Sequence, residues 1–577
     1  MSFSTEVNTL PSTPPKIKEF NLPPEFKEEF GFNSAKVVNG YLTLHHKSGG
    51  AIRCEFDGKK LPTFKKRLEN AIAANENNVR FDNYFDSRKF AIKFIDILVQ
   101  DAEQEHEKTE SARRREQDDK QKIIDEINKD KTTLDISLEE WENTRRQKFA
   151  FLYNTVKENL PSIWLPLEFT LSIKSIINIA RVDIPFAGIV LGAPSTLKTV
   201  SLTMLNKWPQ TFYTDHFTSK SLVSHSSTLT EEQLAEVDML PRWKNKFVLL
   251  PELAPIFTAK DEDLTHLLGI LTRVLDGHGY QSDSGAHGHR GYDEKIMFVL
   301  AGASVDIPYK VYKILGYLGP RLYFLRLPKE TRTETQRLAD LRQNFGDKEK
   351  RIQMALFHYL KWLEIRPDME VDAESSLPKV QWNGSKDDEK ALLKIIKLAD
   401  LLGPLRGVAQ TWETKGTQGS DYGYTIPIIE NPSRATTQLY NLARGHALSR
   451  GRNYVTKDDL SIVIKTVLST GPVERVKILD KLLTATESSG YITATQLSTS
   501  LNISKPTALR TMTELTILEL VDIYPALGTE DNVEHADAER KIKLKERFTW
   551  FKSDEFKQLR DRFVPIDNSE DMEQEKK

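Results

Sequence analysis

The stretch FAGIVLGAPSTLKTVSLTMLNKW, Phe186 to Trp208, constrains this chain more than any other. An apolar, β-rich run from Phe186 to Leu191 meets a turn containing Gly192 and Pro194. A helical pattern follows, with Leu202, Met204 and Leu205 as its apolar positions. Lys198 and Thr199 stand where strand gives way to helix. Gly, four residues, one small residue, Lys and then Ser or Thr is the layout of a phosphate-binding loop. Successive backbone N–H groups wrap a phosphate at a helix N-terminus, where the dipole favours negative charge. The lysine ammonium reaches the outer phosphates, and the hydroxyl ligates Mg²⁺. The expected nucleotide-binding positions are therefore Gly192, Ala193, Pro194, Ser195, Thr196, Leu197, Lys198 and Thr199, with Thr199 the Mg²⁺ ligand. Leu197 stands where the layout has its second glycine. Taken alone, the stretch also reads as an ordinary strand–turn–helix with a surface lysine.

A chain of 577 residues predicts several domains around that core. Apolar content of 39% with 28% charged residues fits a soluble globular protein with long charged helices. The 81 basic and 83 acidic residues nearly cancel, so any basic surface must be local. Cys54 is the only cysteine, which excludes an internal disulfide and suits a reducing cytosol. The opening residues MSFSTEVNTLPSTPP lack the apolar core of a signal peptide, and no uncharged apolar run approaches a membrane span. The expectation is a cytoplasmic protein with no membrane partner.

In chain order, residues 1–22 are Ser/Thr/Pro-rich and predicted to be disordered. Residues 23–100 read as a small α+β domain, with strands Val37–Leu44 and Ala51–Phe56 and helices near Leu61–Ala73 and Asp86–Val99. Residues 101–160 read as a charged helical linker, solvated over its first part. Acids interleaved with Arg113, Arg114 and Arg115 argue against a nucleic-acid contact there.

Residues 161–330 carry the central domain. The apolar run Phe247–Leu250 ends in Pro251 and Glu252. An acid at the end of a buried strand is what a nucleoside triphosphatase uses to orient attacking water. Pro251 occupies the place of the Asp that supports Mg²⁺; the other reading of Glu252 is a helix N-terminal acid. The segment DGHGYQSDSGAHGHRGYDEK reads as a hairpin or loop. Its His278, His287 and His289 lack accompanying cysteines and zinc-site spacing; His289 and Arg290 suit a loop that contacts a nucleic-acid backbone, and the other reading is a plain surface loop. The segment QTFYTDHF carries another strand; a further buried strand, Ile296–Leu300, ends in small residues and Ser304, and Arg321 directly precedes a fifth, Leu322–Leu327. Strands alternating with helices predict a parallel sheet with helices on both faces. Ligands bind at the carboxyl ends of such strands, and Lys198, Glu252, Ser304 and Arg321 all read as lying at or near strand ends.

This order of phosphate loop, acidic strand, polar strand end and pre-strand arginine resembles an AAA+ ATPase. More narrowly, it is similar to the minichromosome maintenance (MCM) replicative helicases, over roughly residues 167–470. The resemblance implies ATP and Mg²⁺ as cofactors and a homo-oligomer with active sites shared between subunits. It also implies a polar sensor at Ser304, an arginine finger at Arg321 acting on the neighbour's ATP, and a pore-facing hairpin at Gly277–Gly291. By the same resemblance residues 331–470 are a helical insertion and lid, with Arg434 the candidate γ-phosphate-sensing arginine and Arg444 behind it; the other reading of either is a surface arginine.

Residues 471–565 have helix-turn-helix spacing, Ser504 capping a helix that runs from Lys505 to Leu518. Lys505, Thr507, Arg510 and Thr511 are expected at a DNA-facing surface. In RKIKLKERFTWF, a period of two places Lys541, Lys543, Lys545 and Arg547 on one strand face. Helix-turn-helix plus basic hairpin looks like a winged helix, whose basic face binds the phosphates of duplex DNA. The other readings are a protein-binding winged helix or a solvated edge blunted by lysines. Residues 566–577 are acidic and predicted to be disordered. The sequence therefore predicts an oligomeric AAA+ ATPase that couples hydrolysis to DNA translocation, unwinding or remodelling. The alternative is an ATP-switched DNA-binding initiator or regulator, or a scaffold that binds nucleotide without cleaving it.

Overall fold

The computed structural model describes residues 17–20, 22, 24–38, 41–48, 51–56, 61–74, 87–224, 230–284, 288–319, 321–328, 334, 338, 344–416, 419–484, 490–524 and 540–562. The chain divides into two compact units, Met1–Asp119 and Lys120–Lys577.

In the first unit, β1 (Ile17–Phe20), β2 (Phe32–Val38), β3 (Tyr41–His46) and β4 (Ala51–Glu55) form an antiparallel sheet in that order. Leu42 and Leu44 point inward at the strand period of two. They meet Phe32, Phe64, Phe90 and Phe94, all fully buried, the last three from helices Leu61–Ala74 and Ser87–Thr133. Two sequence expectations change here. Ile17–Phe20 is a strand, anchored by the buried Phe20 opposite Ala35, although it falls within the stretch expected to be disordered. The single strand expected over 37–44 is two, because Val38 pairs with Tyr41; the intervening Asn39-Gly40 is a hairpin signature that the sequence reading passed over.

The second unit is organised on β5 (Phe186–Leu191), β6 (Thr211–Tyr213), β7 (Phe247–Leu250), a hairpin of β8 (Gln281–Ser284) and β9 (Gly288–Gly291), β10 (Val299–Ser304) and β11 (Leu322–Arg326). Five of these form a sheet, β11-β5-β10-β7-β6, with every neighbouring pair parallel. β5, β7 and β10 are buried throughout, as parallel strands covered on both faces require. Their side chains alternate between two cores, one including Val190 and Trp208 and the other Ile189 and Trp243. The chain leaves β5 for the far edge and returns to set β10 beside it. The carboxyl ends of β5 and β10 thus flank the switch point where such sheets bind ligands. Helix Trp164–Ile176 lies close on β5: a Cβ at Gly188 would stand 2.5 Å from Ile173 Cδ1.

Around this core stand helices Leu138–Asn159, Phe345–Glu364, Glu389–Arg406, Pro432–Ser449 and Leu460–Thr470, with hairpins β12 (Met369–Val371)–β13 (Pro378–Val380) and β14 (Thr411–Gly416)–β15 (Gly419–Tyr424). The end of helix Ser87–Thr133 also docks on this unit. Lys120 Nζ donates to Thr211 O (3.1 Å), Lys131 Nζ donates to Met369 O (2.8 Å), and Ile127 is buried. The helix thus contacts this unit through one face at Lys120, Ile127 and Lys131, while Gln121, Lys122, Asp125 and Lys129 stay exposed as the sequence predicts.

The C-terminal part has helices Val473–Thr484, Ala494–Leu501 and Lys505–Ile517, and an antiparallel sheet of β16 (Tyr491–Thr493), β18 (Lys541–Leu544) and β17 (Val521–Tyr524) in that order. Ser504 caps the third helix by accepting from Thr507 N. Two expectations are corrected. Thr511 is 5% exposed and its hydroxyl donates to Thr507 O (3.0 Å), so it does not face outward. Strand β18 ends at Leu544 and a 3-10 helix, Glu546–Lys552, follows; Lys545 and Arg547 therefore leave the strand row. The sequence readings for residues 1–16, His287 and 566–577 lie outside the described residues.

Candidate functional site

Strand β5 ends at Leu191, and the next residue fixes the loop to its neighbour strand: Gly192 N donates to Ser304 O (3.3 Å). A Cβ at Gly192 would stand 2.9 Å from Thr196 Oγ1 and 3.4 Å from Leu327 Cβ, so a larger residue here would displace the Thr196 side chain that closes the loop. Ser195 and Leu197 take left-handed backbone, φ 65° and 58°. Alternation of left- and right-handed residues gathers N–H groups into an anion-binding concavity. Helix Lys198–Thr203 starts immediately after it. Thr196 Oγ1 closes the loop on Ala193 O (2.8 Å), and Ala193, Pro194, Ser195 and Thr199 are exposed.

Lys198 is only 7% exposed. Its ammonium donates to Gly192 O (2.9 Å), Ala193 O (2.7 Å) and Thr196 Oγ1 (3.3 Å). Burial holds its pKa below the ordinary lysine value, while the carboxylates of Glu252 and Asp306 pull the other way. A desolvated ammonium held by neutral carbonyls is a charge for which an anion is the natural partner.

Three more groups surround this lysine. Ser304, the last residue of β10, lies opposite Leu191 and is 1% exposed, and its Oγ makes no hydrogen bond. Glu252 lies two residues beyond β7; its Oε1 accepts from Ala254 N (2.9 Å), at the start of the short helix Ala254–Phe257. It thus fills the helix-terminal role weighed in the sequence while its charge still reaches Lys198. Leu253 N donates to Ala303 O (2.8 Å), tying this segment to β10. Asp306 was missed in the sequence. It lies two residues past β10, acts electrostatically on Lys198 and pairs with Arg326 Nε at 3.1 Å. Its only sequence signal was an acid just beyond the polar strand end.

The two arginines lie elsewhere. Arg321 precedes β11, and Leu322 pairs with Ala187, so Arg321 is level with the amino end of β5. That is about 17 Å of strand from the phosphate loop. Arg321 therefore stands at a strand end, as expected from its place directly before β11, but at the end opposite Lys198, Glu252 and Ser304. Its Nε and Nη2 donate to Asp276 Oδ1 (2.9 Å) and Oδ2 (3.1 Å). Arg434 donates to the same carboxylate. Arg434 is thus grouped with Arg321 rather than with the phosphate loop of its own chain. Arg444 lies over the Tyr440 ring at 4.6 Å.

Of the expected DNA-facing residues, Lys505 and Arg510 are exposed and Thr507 is partly buried. Lys541 and Lys543 hold their ammonium groups 4.7 and 5.4 Å from the Tyr491 ring centre. Lys545 approaches Asp522 (3.9 Å) and Arg547 pairs with Glu519 (3.1 Å), so half of the expected basic row is matched by acids. In the β8–β9 hairpin, His289 Nδ1 lies 2.9 Å from Asp283 Oδ1. Among the described residues no group of three or more His, Cys, Asp or Glu could hold a metal ion, and no helix is long and apolar enough to cross a membrane.

Residues 431–470 match the AAA lid domain family, over helices Pro432–Ser449 and Leu460–Thr470. No curated protein matches the sequence. The lid match and the parallel five-stranded sheet together support an AAA+ ATPase. Proteins of this kind use ATP with Mg²⁺, and the loop fits such a ligand on two counts. Among the described residues Lys198 donates only to neutral oxygens, and Ser304, at the end of the neighbouring strand, carries a buried hydroxyl that makes no hydrogen bond.

Proposed function

We propose that this chain is an oligomeric AAA+ ATPase that couples ATP turnover to movement or remodelling of DNA, in the manner of the MCM helicases it resembles. The observation that carries this reading is the division of labour along the sheet. Lys198, Ser304 and Glu252 gather near the carboxyl ends of the strands, whereas Arg321 and Arg434 share Asp276 at the amino end. A complete site then needs the arginine face of one subunit against the phosphate loop of the next.

Bound ATP–Mg²⁺ supplies the scissile phosphoanhydride bond. Lys198 and the loop N–H groups hold the outer phosphates, Thr199 positions Mg²⁺, Glu252 orients water, and Ser304 fixes that geometry by hydrogen bonding. Arg321 neutralises charge developing on the neighbour's phosphate. The C-terminal helices and sheet serve as a winged helix on duplex DNA, through Lys505, Thr507, Arg510, Lys541 and Lys543.

A second reading, an ATP-switched DNA-binding initiator, is favoured by Pro251, which offers no carboxylate to Mg²⁺. Steady-state ATPase measurements with and without duplex DNA separate the two. We expect DNA-stimulated turnover in the wild type and a loss of about 10²-fold or more in Glu252→Gln, the range for removing a positioned base. ATP binding without turnover in any oligomeric state would leave only the switch.

A further inference from the structure

A second concavity, of about 400 Å³, opens in the second unit among helices Leu138–Asn159, Pro432–Ser449 and Leu460–Thr470. No residue of the phosphate loop lines it. Eight of its lining side chains are Arg or Lys and three are Asp or Glu. The acids are shared: Glu142 accepts from both Arg145 (2.7 and 2.9 Å) and Arg146 (3.2 Å), and Glu168 accepts from both Arg450 and His446. Asp458 accepts from Arg562 (2.6 Å), and outside the lining Asp459 and Asp368 engage Arg452 and Arg366, so the cations still outnumber the acids.

The guanidinium groups are held in place by packing. Arg145, 2% exposed, runs against Gly451, whose φ is 78° and where a Cβ would stand 2.1 Å from Arg145 Cδ. Arg366, 4% exposed, lies 5.1 Å over the Trp141 ring and donates to Gly451 O. Gathering excess cations in a partly desolvated hollow costs free energy that a purely structural network would avoid by matching its charges.

We infer that this concavity binds a small anion carrying two or more phosphate groups, independently of the nucleotide loop. Phosphate supplies close to two charges and three acceptor oxygens per group, and preorganised arginine forks match it in bidentate fashion. The volume lies in the range of small-ligand pockets, and its concave form suits a compact ligand rather than a duplex.

The test is calorimetric titration of the full chain with sodium pyrophosphate, without Mg²⁺, in a Lys198→Ala background that silences the phosphate loop. We expect saturable binding there, weakened at least about tenfold when Arg146→Gln and Lys386→Gln are added, since each removes a charge-assisted contact. Both side chains are substantially exposed, so the melting temperature without ligand should stay unchanged. Absence of saturable binding, or binding indifferent to the two substitutions, would overturn the assignment. So would binding that appears only after Asp567, Glu570 and Asp571 are neutralised, which would give the hollow to the chain's own C-terminal acids. Duplex DNA binding that depends on Arg146 and Lys386 while pyrophosphate fails to bind would give it to nucleic acid instead, and overturn it as well.

Discussion

At the scale of single residues, Leu197 is the departure that the structure clarifies. It occupies the second-glycine position of the loop with φ 58° and ψ 20°, directly before Lys198 starts the helix. A left-handed residue with a Cβ costs roughly 1–2 kcal/mol. Leu197 offsets part of that cost by packing its partly buried side chain on the core. Leu197→Ala keeps the Cβ and loses the packing, whereas Leu197→Gly loses the packing and removes the backbone cost. The glycine variant should therefore be the more stable by about 1 kcal/mol, the reverse of the order in a helix interior. Urea midpoints of the two variants measure this directly, and an alanine variant as stable as the glycine one would mean that the left-handed turn is not held. Gly192, Lys198 and Ser304 were legible in the sequence because loop spacing and strand ends carry a local signature. Asp306 and Asp276 were not. An acid a few residues from a strand or helix end has no periodicity, and its role appears only when strand order sets it beside a cation.

At the scale of elements, strand and helix patterning located the core strands and the lid, and capping chemistry at Thr456 starts the 3-10 helix Lys457–Asp459. Thr456 accepts from Asp458 N, and its own N–H donates to Asp459 Oδ2 (2.8 Å). What capping could not show is that Asp459 also receives His446 (2.6 Å) and Arg452, from residues the fold brings alongside. His446 further touches Glu168 at 3.2 Å, linking the lid to helix Trp164–Ile176. Burial opposes charge on His446, but Asp459 and Glu168 outweigh it and raise its pKa. Burial likewise opposes charge on the two acids; Arg452 and His446 hold Asp459 at about 2, and Arg450 and His446 hold Glu168 at about 2. The raised histidine contributes stability that is complete below its ordinary pKa of about 6.5 and lost as pH climbs through the raised value. The lowered acids contribute above the ordinary carboxylate range near 4 and lose it as pH falls toward 2. Thermal stability should hence peak between about pH 5 and 6.5 and decline as pH rises through the histidine's raised value. His446→Gln should lower the peak and flatten that alkaline decline. Melting curves from pH 5 to 9 decide it, since an undiminished decline in the variant would place the titrating group elsewhere.

At the scale of the whole molecule, the sheet order determines what one chain can do alone. With β5 between β11 and β10, Lys198 and Ser304 share one end of the sheet, and Arg321 with Arg434 holds Asp276 at the other. The separation follows from strand length and parallel register, so no side-chain rotation closes it within a chain. The sequence already set Arg321 before its strand and Lys198 after another, but not Asp276 and Arg434 beside Arg321, because those contacts cross between distant parts of the chain. If the sites form between subunits, Lys198→Ala and Arg321→Ala should each abolish turnover in pure form. Mixing them should restore it, because a subunit carrying Arg321→Ala still offers Lys198 and Glu252 to the intact Arg321 of a neighbour carrying Lys198→Ala. Random mixing at equal amounts in a head-to-tail ring makes such interfaces about a quarter of the total. The mixture should therefore approach that fraction of wild-type ATPase, and an excess of either variant should lower it. A mixture as inactive as its components, with oligomers shown to exchange subunits, would mean that the arginine face does not complete a neighbour's site.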